Sequence, residues 1–203
     1  MVRVVTDQPF SDQLEEWLRS DGPKSIGDLS EVFAEKSFAV TILFLMFIPA
    51  LPLPTGGVTH VFEIITVILA AQMVLGIRTL WLPSRWRNRE LGARMTDKAL
   101  PFMVKRIRWF ERISRPRWAG LVANRWFIRL TGLAFIGLAA AAAFAPPFSG
   151  LDTLPAMGAV TLALGIILED IMVVAIGAAI GAGGVALIVT VGAALFRLLK
   201  GLV

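Results

Sequence analysis

The sequence predicts an all-α, polytopic integral membrane protein with two repeated helix–proline loop–helix units and flanking interfacial amphipathic helices. Three observations carry that reading. Apolar residues fill 56% of the 203 positions, above the roughly 45–50% of soluble domains. Charge is segregated: residues 1–36 hold eight acids and four bases, and residues 78–129 hold fourteen of the twenty Lys and Arg against three acids. Finally, two apolar runs are broken by the same device, prolines followed by small polar residues. These are Pro49-Ala-Leu-Pro-Leu-Pro-Thr-Gly-Gly57 and Pro146-Pro-Phe-Ser-Gly-Leu-Asp-Thr-Leu-Pro155.

The chain opens with residues 1–36, read as cytoplasmic amphipathic helices. Phe10, Leu14, Trp17 and Leu18 share one helical face, with Asp12, Glu15, Glu16 and Arg19 elsewhere. Gly22-Pro23 ends that helix, and Ser25 to Asp28 fits a capping box at the start of the next. No signal peptide is evident at the N-terminus. The first membrane repeat is 37–77. Its opening run, Ser37 to Ile48, rises only about 18 Å at ~1.5 Å per residue, against a hydrocarbon core of about 30 Å. It reads as a half-span ending at the proline loop. Val58 to Ile77 is long enough to cross but contains His60, Glu63 and Gln72.

Residues 78–126 form a basic link carrying most of the tryptophans, a combination that marks a membrane–water interface. Within it Leu100, Met103, Val104, Ile107, Phe110 and Ile113 form a helical apolar stripe, with Lys105, Arg106, Arg108 and Arg112 pointing elsewhere. Such a helix is expected to lie on anionic lipid, and Arg78, Trp81, Lys105, Arg106, Arg108 and Arg112 are the expected interface residues. The second repeat spans 127–168. Glu169-Asp170 then interrupts, read as a solvated turn at the membrane face or a partner for the arginines. A glycine-rich span, 171–196, follows, in which Gly177, Gly181 and Gly184 give a face for close helix packing. A basic block between membrane segments is the positive-inside pattern, which places the link in the cytoplasm and argues against nucleic acid as a partner.

The chain has no cysteine and one histidine. Disulfides, thiolate chemistry and multi-histidine metal sites are therefore excluded. No cofactor or metal motif appears, and no nucleophile–base cluster, so an enzyme is not expected. What remains is the pair of proline loops. Non-helical backbone at membrane depth survives only where protein or a water-filled cavity covers it, and interruptions in corresponding halves point to a binding site. The candidate set is Pro52, Pro54, Thr55, Gly56, Gly57 and Glu63 from the first unit, with Ser149 and Asp152 from the second. Free N–H groups at Gly56 and Gly57 begin a helix whose dipole favours anions. Glu63 costs about 2.5–3.5 kcal/mol at depth on insertion scales, so it must face the bundle interior. It is either a proton or substrate site or a hydrogen-bonded carboxyl that joins helices.

Gly27-Asp28-Leu29, Pro52-Leu-Pro-Thr-Gly-Gly57, Gln72 ahead of Trp81-Leu-Pro83, the arginine-rich link, the second proline loop and Leu168-Glu-Asp170 occur in that order. In this the chain resembles the exopolysaccharide synthesis ExoD family of bacterial inner-membrane proteins. The resemblance implies a multi-pass protein of the inner membrane with a role in exopolysaccharide production or envelope stress, and no defined reaction. The function expected is a transporter-like or accessory component of exopolysaccharide export. The alternative is a structural module that organises a polysaccharide synthase. Expected partners are membrane lipids, a second copy in a homodimer, and polysaccharide synthesis or export machinery.

Overall fold

The computed structural model describes residues 8–22, 24–25, 27–28, 32, 36–51, 59–77, 80–81, 83–87, 92, 95–114, 124–146 and 149–200. Among these residues there are helices and no strand. They are α1 (Phe10–Arg19), α2 (Ser37–Phe47), α3 (Thr59–Leu75), α4 (Ser84–Arg87), α5 (Leu100–Ile113, entered through a π-turn at Met95–Ala99), α6 (Arg125–Phe144), α7 (Thr153–Ile167) and α8 (Ile171–Lys200). Two of them, α6 and α8, are long and apolar enough to cross a membrane.

Four helices form a ring. α2 packs on α7 and α3 on α6, while α2 with α3 and α6 with α7 close the other two sides. The directions follow from specific contacts. A Cβ at Gly132, early in α6, would meet Ala70, Met73 and Val74 at the end of α3. Lys36, just before α2, donates to the Ile167 carbonyl at 2.7 Å and pairs with Glu169 at 2.9 Å, both at the end of α7. The start of α2, the end of α3, the start of α6 and the end of α7 therefore share one end of the ring. The end of α2, the start of α3, the end of α6 and the start of α7 share the other.

Exchanging the unit α2–α3 for the unit α6–α7 maps every packed pair of the ring onto another. The second helices also stop in the same way. α3 ends with Gly76 at φ 77, where Gly76 N–H bonds Met73 O and Ile77 N–H bonds Gln72 O at 3.0 Å. α7 ends with Glu169 at φ 55, where Glu169 N–H bonds Ile166 O and Asp170 N–H bonds Gly165 O at 3.0 Å. Both are Schellman motifs, in which a left-handed residue lets two orphan carbonyls be satisfied. Glycine fills that position without steric cost in α3. Glu169 tolerates it in α7, with its carboxylate tied to Lys36.

α8 runs back along α7. Gly165 lies against Val174, Gly158 against Gly177 and Gly181, and Pro155 against Gly184, so a Cβ at Gly158, Gly165, Gly177 or Gly184 would overlap the facing helix, and one at Gly181 would overlap Leu138 of α6. The glycine face read from the sequence is thus spent within the chain. Beyond Gly184, α8 is largely exposed.

α1 and α5 pack antiparallel as a separate layer. Ser11 N–H donates to Glu111 at 2.9 Å, and its hydroxyl bonds the same carboxylate. Arg108 bridges Asp12 at 3.0 Å and Glu15 at 2.5 Å. The apolar residues Leu14 and Trp17 of α1, and Leu100, Met103, Val104 and Ile107 of α5, are buried. α5 reaches from Phe47 at the end of α2, where Phe102 stacks at 6.2 Å, to Asp170, which accepts from Ser114 at 2.9 Å. This corrects one expectation. The apolar stripe of α5 faces protein and not lipid, because α2 is buried along its whole length and needs a cover on its outer side. Periodicity identifies such a stripe but not what lies against it.

The N-terminal capping box holds in half. Ser25 Oγ accepts from Asp28 N–H at 3.0 Å, but the Asp28 carboxylate accepts from Trp17 Nε1 at 2.7 Å and does not return to Ser25. The Glu169-Asp170 turn is also corrected. Asp170 is buried, and its Oδ1 accepts from Met172 N–H at 3.0 Å as the N-cap of α8.

Candidate functional site

α3 begins at the proline end of the ring, and its first turns carry a polar face inside an apolar helix. Thr59, Glu63 and Thr66 fall three and four residues apart, so they stack on one side. All three are buried, and Glu63 is fully so at 0% exposure. Thr66 discharges its hydroxyl locally, donating to Phe62 O at 2.8 Å. Glu63 has a real partner. Its Oε2 lies 2.7 Å from His60 Nδ1, one turn earlier on the same helix. His60 is partly open to the outside, at 32% side-chain exposure.

The other oxygen, Glu63 Oε1, is buried with no hydrogen-bond partner among the described residues, and Thr41 Oγ1 on α2 is in the same state. An unsatisfied buried oxygen costs about 1–3 kcal/mol, so these two oxygens, on the packed helices α2 and α3, mark an interior that has kept polar capacity. The second unit contributes Asp152, which stands at the start of α7 without capping it through its side chain. Glu63 near the start of α3 and Asp152 before α7 therefore fall at the same end of the ring, with His60 between solvent and the buried acid.

The other expected site residues fare differently. Pro52, Pro54, Thr55, Gly56 and Gly57 lie outside the described residues, as does Arg78. Ser149 serves its own turn: its hydroxyl donates to Pro146 O at 2.6 Å and accepts from Leu151 N–H at 3.2 Å. Trp81 is exposed, and its backbone exchanges two hydrogen bonds with the Gln72 side chain, at 2.8 and 2.9 Å. Gln72 thus pins the segment after α3 and takes no part at the proline end. Lys105, Arg106 and Arg112 are exposed on α5, whereas Arg108 is engaged with α1. Among the described residues no group of three His, Cys, Asp or Glu side chains is arranged to hold a metal ion. Thr41 was the residue that sequence reasoning passed over. The available signal was a lone hydroxyl inside the apolar run from Phe38 to Ile48.

Comparison with known proteins extends over nearly the same length. The chain is 26% identical over 174 residues to an uncharacterized protein of Synechocystis sp., a match covering 83% of this chain and 80% of the relative. No solved structure matches the fold. The family model described as exopolysaccharide synthesis, ExoD, matches residues 10–190, most of the described bundle and both proline units. The chain therefore belongs to the membrane-associated ExoD family of exopolysaccharide synthesis proteins.

Proposed function

We propose that the protein is a transporter-like component of exopolysaccharide production and export in the bacterial inner membrane, whose two hairpins enter from the cytoplasmic side and turn at mid-depth. The observation that carries this is Glu63, wholly buried and bonded to the partly open His60, at the end of the ring where Asp152 of the second unit precedes α7. Glu63 Oε1 is buried there with no hydrogen-bond partner among the described residues.

Helix lengths support the depth. α8 has 30 residues, about 45 Å at ~1.5 Å each, the thickness of a bilayer with its headgroup layers. The contact between Gly184 and Pro155 falls about 20 Å along that helix, close to its midpoint. If α8 spans, the start of α7 and the ring end it belongs to sit near the bilayer centre, where transporters built from repeats place their sites. Arg197 and Lys200 then reach the far interface, and the basic link lies at the near one. The shared direction of the two hairpins and their matching Schellman ends support a parallel repeat, related by an axis along the membrane normal. The chemistry available is proton exchange at Glu63 through His60, with polar hydroxyls and backbone N–H groups for an oxygen-rich solute. No covalent step is assigned to it.

The test is reconstitution. Proteoliposomes of the purified protein should show solute- or proton-dependent flux that Glu63→Gln abolishes at unchanged helicity. Background flux from wild-type protein that still binds a polysaccharide synthase would replace this reading with that of an organising module.

A further inference from the structure

We propose that the ring opens along its α2–α7 seam, at the end where α2 starts and α7 stops, and that the Lys36–Glu169 ion pair is the latch on that opening. The inference rests on the transport reading above and deepens it. A site enclosed between two units needs a seam that moves, and one repeat rocking against the other is how such carriers expose their sites.

The two seams between the units are built differently. Along α3–α6 the helices meet without intervening side chains: a Cβ on Gly132 would come within 3.0 Å of the Ala70 carbonyl and 3.1 Å of Met73 Cβ. The α2–α7 seam is held at its mouth by side chains. Lys36 Nζ donates to Ile167 O at 2.7 Å and lies 2.9 Å from Glu169 Oε1, with the two charged side chains 38% and 35% exposed. A pair this open biases an equilibrium by no more than about fivefold, and the carbonyl bond adds a comparable factor. Together they favour the closed form yet can be released without unfolding a helix.

Glu169 itself points to a role. At the equivalent Schellman position α3 has Gly76, which takes φ 77 without strain, whereas α7 places a charged side chain at φ 55. What that side chain does there is hold Lys36. Five residues further along α2, roughly 7–8 Å inward, Thr41 is fully enclosed and its hydroxyl has no hydrogen-bond partner among the described residues. Thr66, Thr131 and Thr161 each return their hydroxyl to the carbonyl four residues back. An enclosed hydroxyl left over in this way disfavours the closed form and is satisfied once water reaches it. The closed seam is thus poised against a small latch. Its travel is limited by α5, which straddles the seam from Phe102 on Phe47 of α2 to Ser114 on Asp170.

The chain has no native cysteine, so a single T41C substitution in the full-length protein makes the seam readable by alkylation with a water-soluble maleimide. The rate follows the population of the open form and needs no transported solute. K36M, which loses both bonds, should raise that rate about tenfold, and E169Q, which keeps the carbonyl bond, about threefold. The swap K36E/E169K should return part of the difference. A cysteine at M73C, on the α3–α6 seam, should respond to none of them. A T41C rate unmoved by K36M and E169Q overturns the proposal, and so does an equal rise at M73C, which would report general loosening. In proteoliposomes, a short reducible thiosulfonate bridge between K36C and E169C should stop flux, and reductant should restore it. Flux that persists through the bridge overturns the latch. Background flux from wild-type protein whose T41C rate still answers to Lys36 would overturn the transport reading and leave the latch standing.

Discussion

His60 Nδ1 and Glu63 Oε2 lie 2.7 Å apart on consecutive turns of α3, yet one residue is partly open and the other wholly enclosed. A proton arriving at His60 is thus one hydrogen bond from a buried carboxylate whose second oxygen has no hydrogen-bond partner among the described residues. Glu63→Gln preserves shape and can still bond His60, so thermal unfolding in detergent should shift little. Glu63→Leu removes the acceptor and should cost about 1–3 kcal/mol. Complementation of a deletion strain separates the roles. A Gln variant that is both stable and fully active would leave Glu63 as packing only.

Asp170 should be the most sensitive acid outside α3. It caps α8 through Met172 N–H and holds the end of α5 through Ser114. Loss of a cap costs about 1 kcal/mol, up to about 2, and the Ser114 bond adds to it. Asp170→Ala should therefore lower the unfolding free energy by about 2 kcal/mol, Asp170→Asn by less, and Ser114→Ala by about 1 kcal/mol. Chemical or thermal unfolding of the three variants in one detergent checks the order.

The α7–α8 seam predicts a sharp contrast among glycines of one helix. At Gly177 and Gly181 a Cβ would overlap α7 or Leu138, whereas Gly183 and Gly192 face open space. Gly177→Val should cost about 1–3 kcal/mol or more by overpacking. Gly183→Ala should be neutral or gain up to about 1 kcal/mol, the difference in helix propensity. Comparable melting temperatures for the two variants would contradict the close approach of the backbones.

Acid should release α1 from α5 before the bundle unfolds. The hydrogen bond from Arg108, followed by the charge of Arg19, holds the Glu15 pKa below its ordinary value. A depressed carboxylate contributes stability above its unfolded pKa and loses it as pH falls through the folded one. The loss therefore lies at and below the ordinary glutamate range. Amide exchange of α1 should accelerate there while α7 and α8 stay protected, and Glu15→Gln should flatten the dependence. Exchange in α1 that is already unprotected at neutral pH would show that this contact does not hold the helix.

Much of this arrangement is written locally. The apolar runs give α2, α3, α6, α7 and α8 to within a few residues, and His60 three positions before Glu63 announces their bond. Asp170 ahead of Ile171 was a readable N-cap signal that its neighbour Glu169 disguised as a polar turn. That Glu63 and Asp152 fall at the same end of the ring was not legible in detail, since it depends on how two units far apart in sequence dock. The orientation of α5 was misread for a physical reason. A stripe of Leu100, Met103, Val104 and Ile107 has the same period whether lipid or α2 covers it. Only the clamp from Arg108 to Asp12 and Glu15 decides between them.

The burial of α2 has a consequence for biosynthesis. Its cover comes from α3 and α7, with Phe102 of α5 against its last turn, and α7 is the last of these to leave the ribosome. At roughly 5–20 residues per second, α2 waits on the order of ten seconds for that partner. During this interval the nascent first hairpin has an apolar flank open to other chains. A ribosome stalled before α7 would release a chain with that flank permanently bare, which marks the product as a substrate for membrane proteolysis.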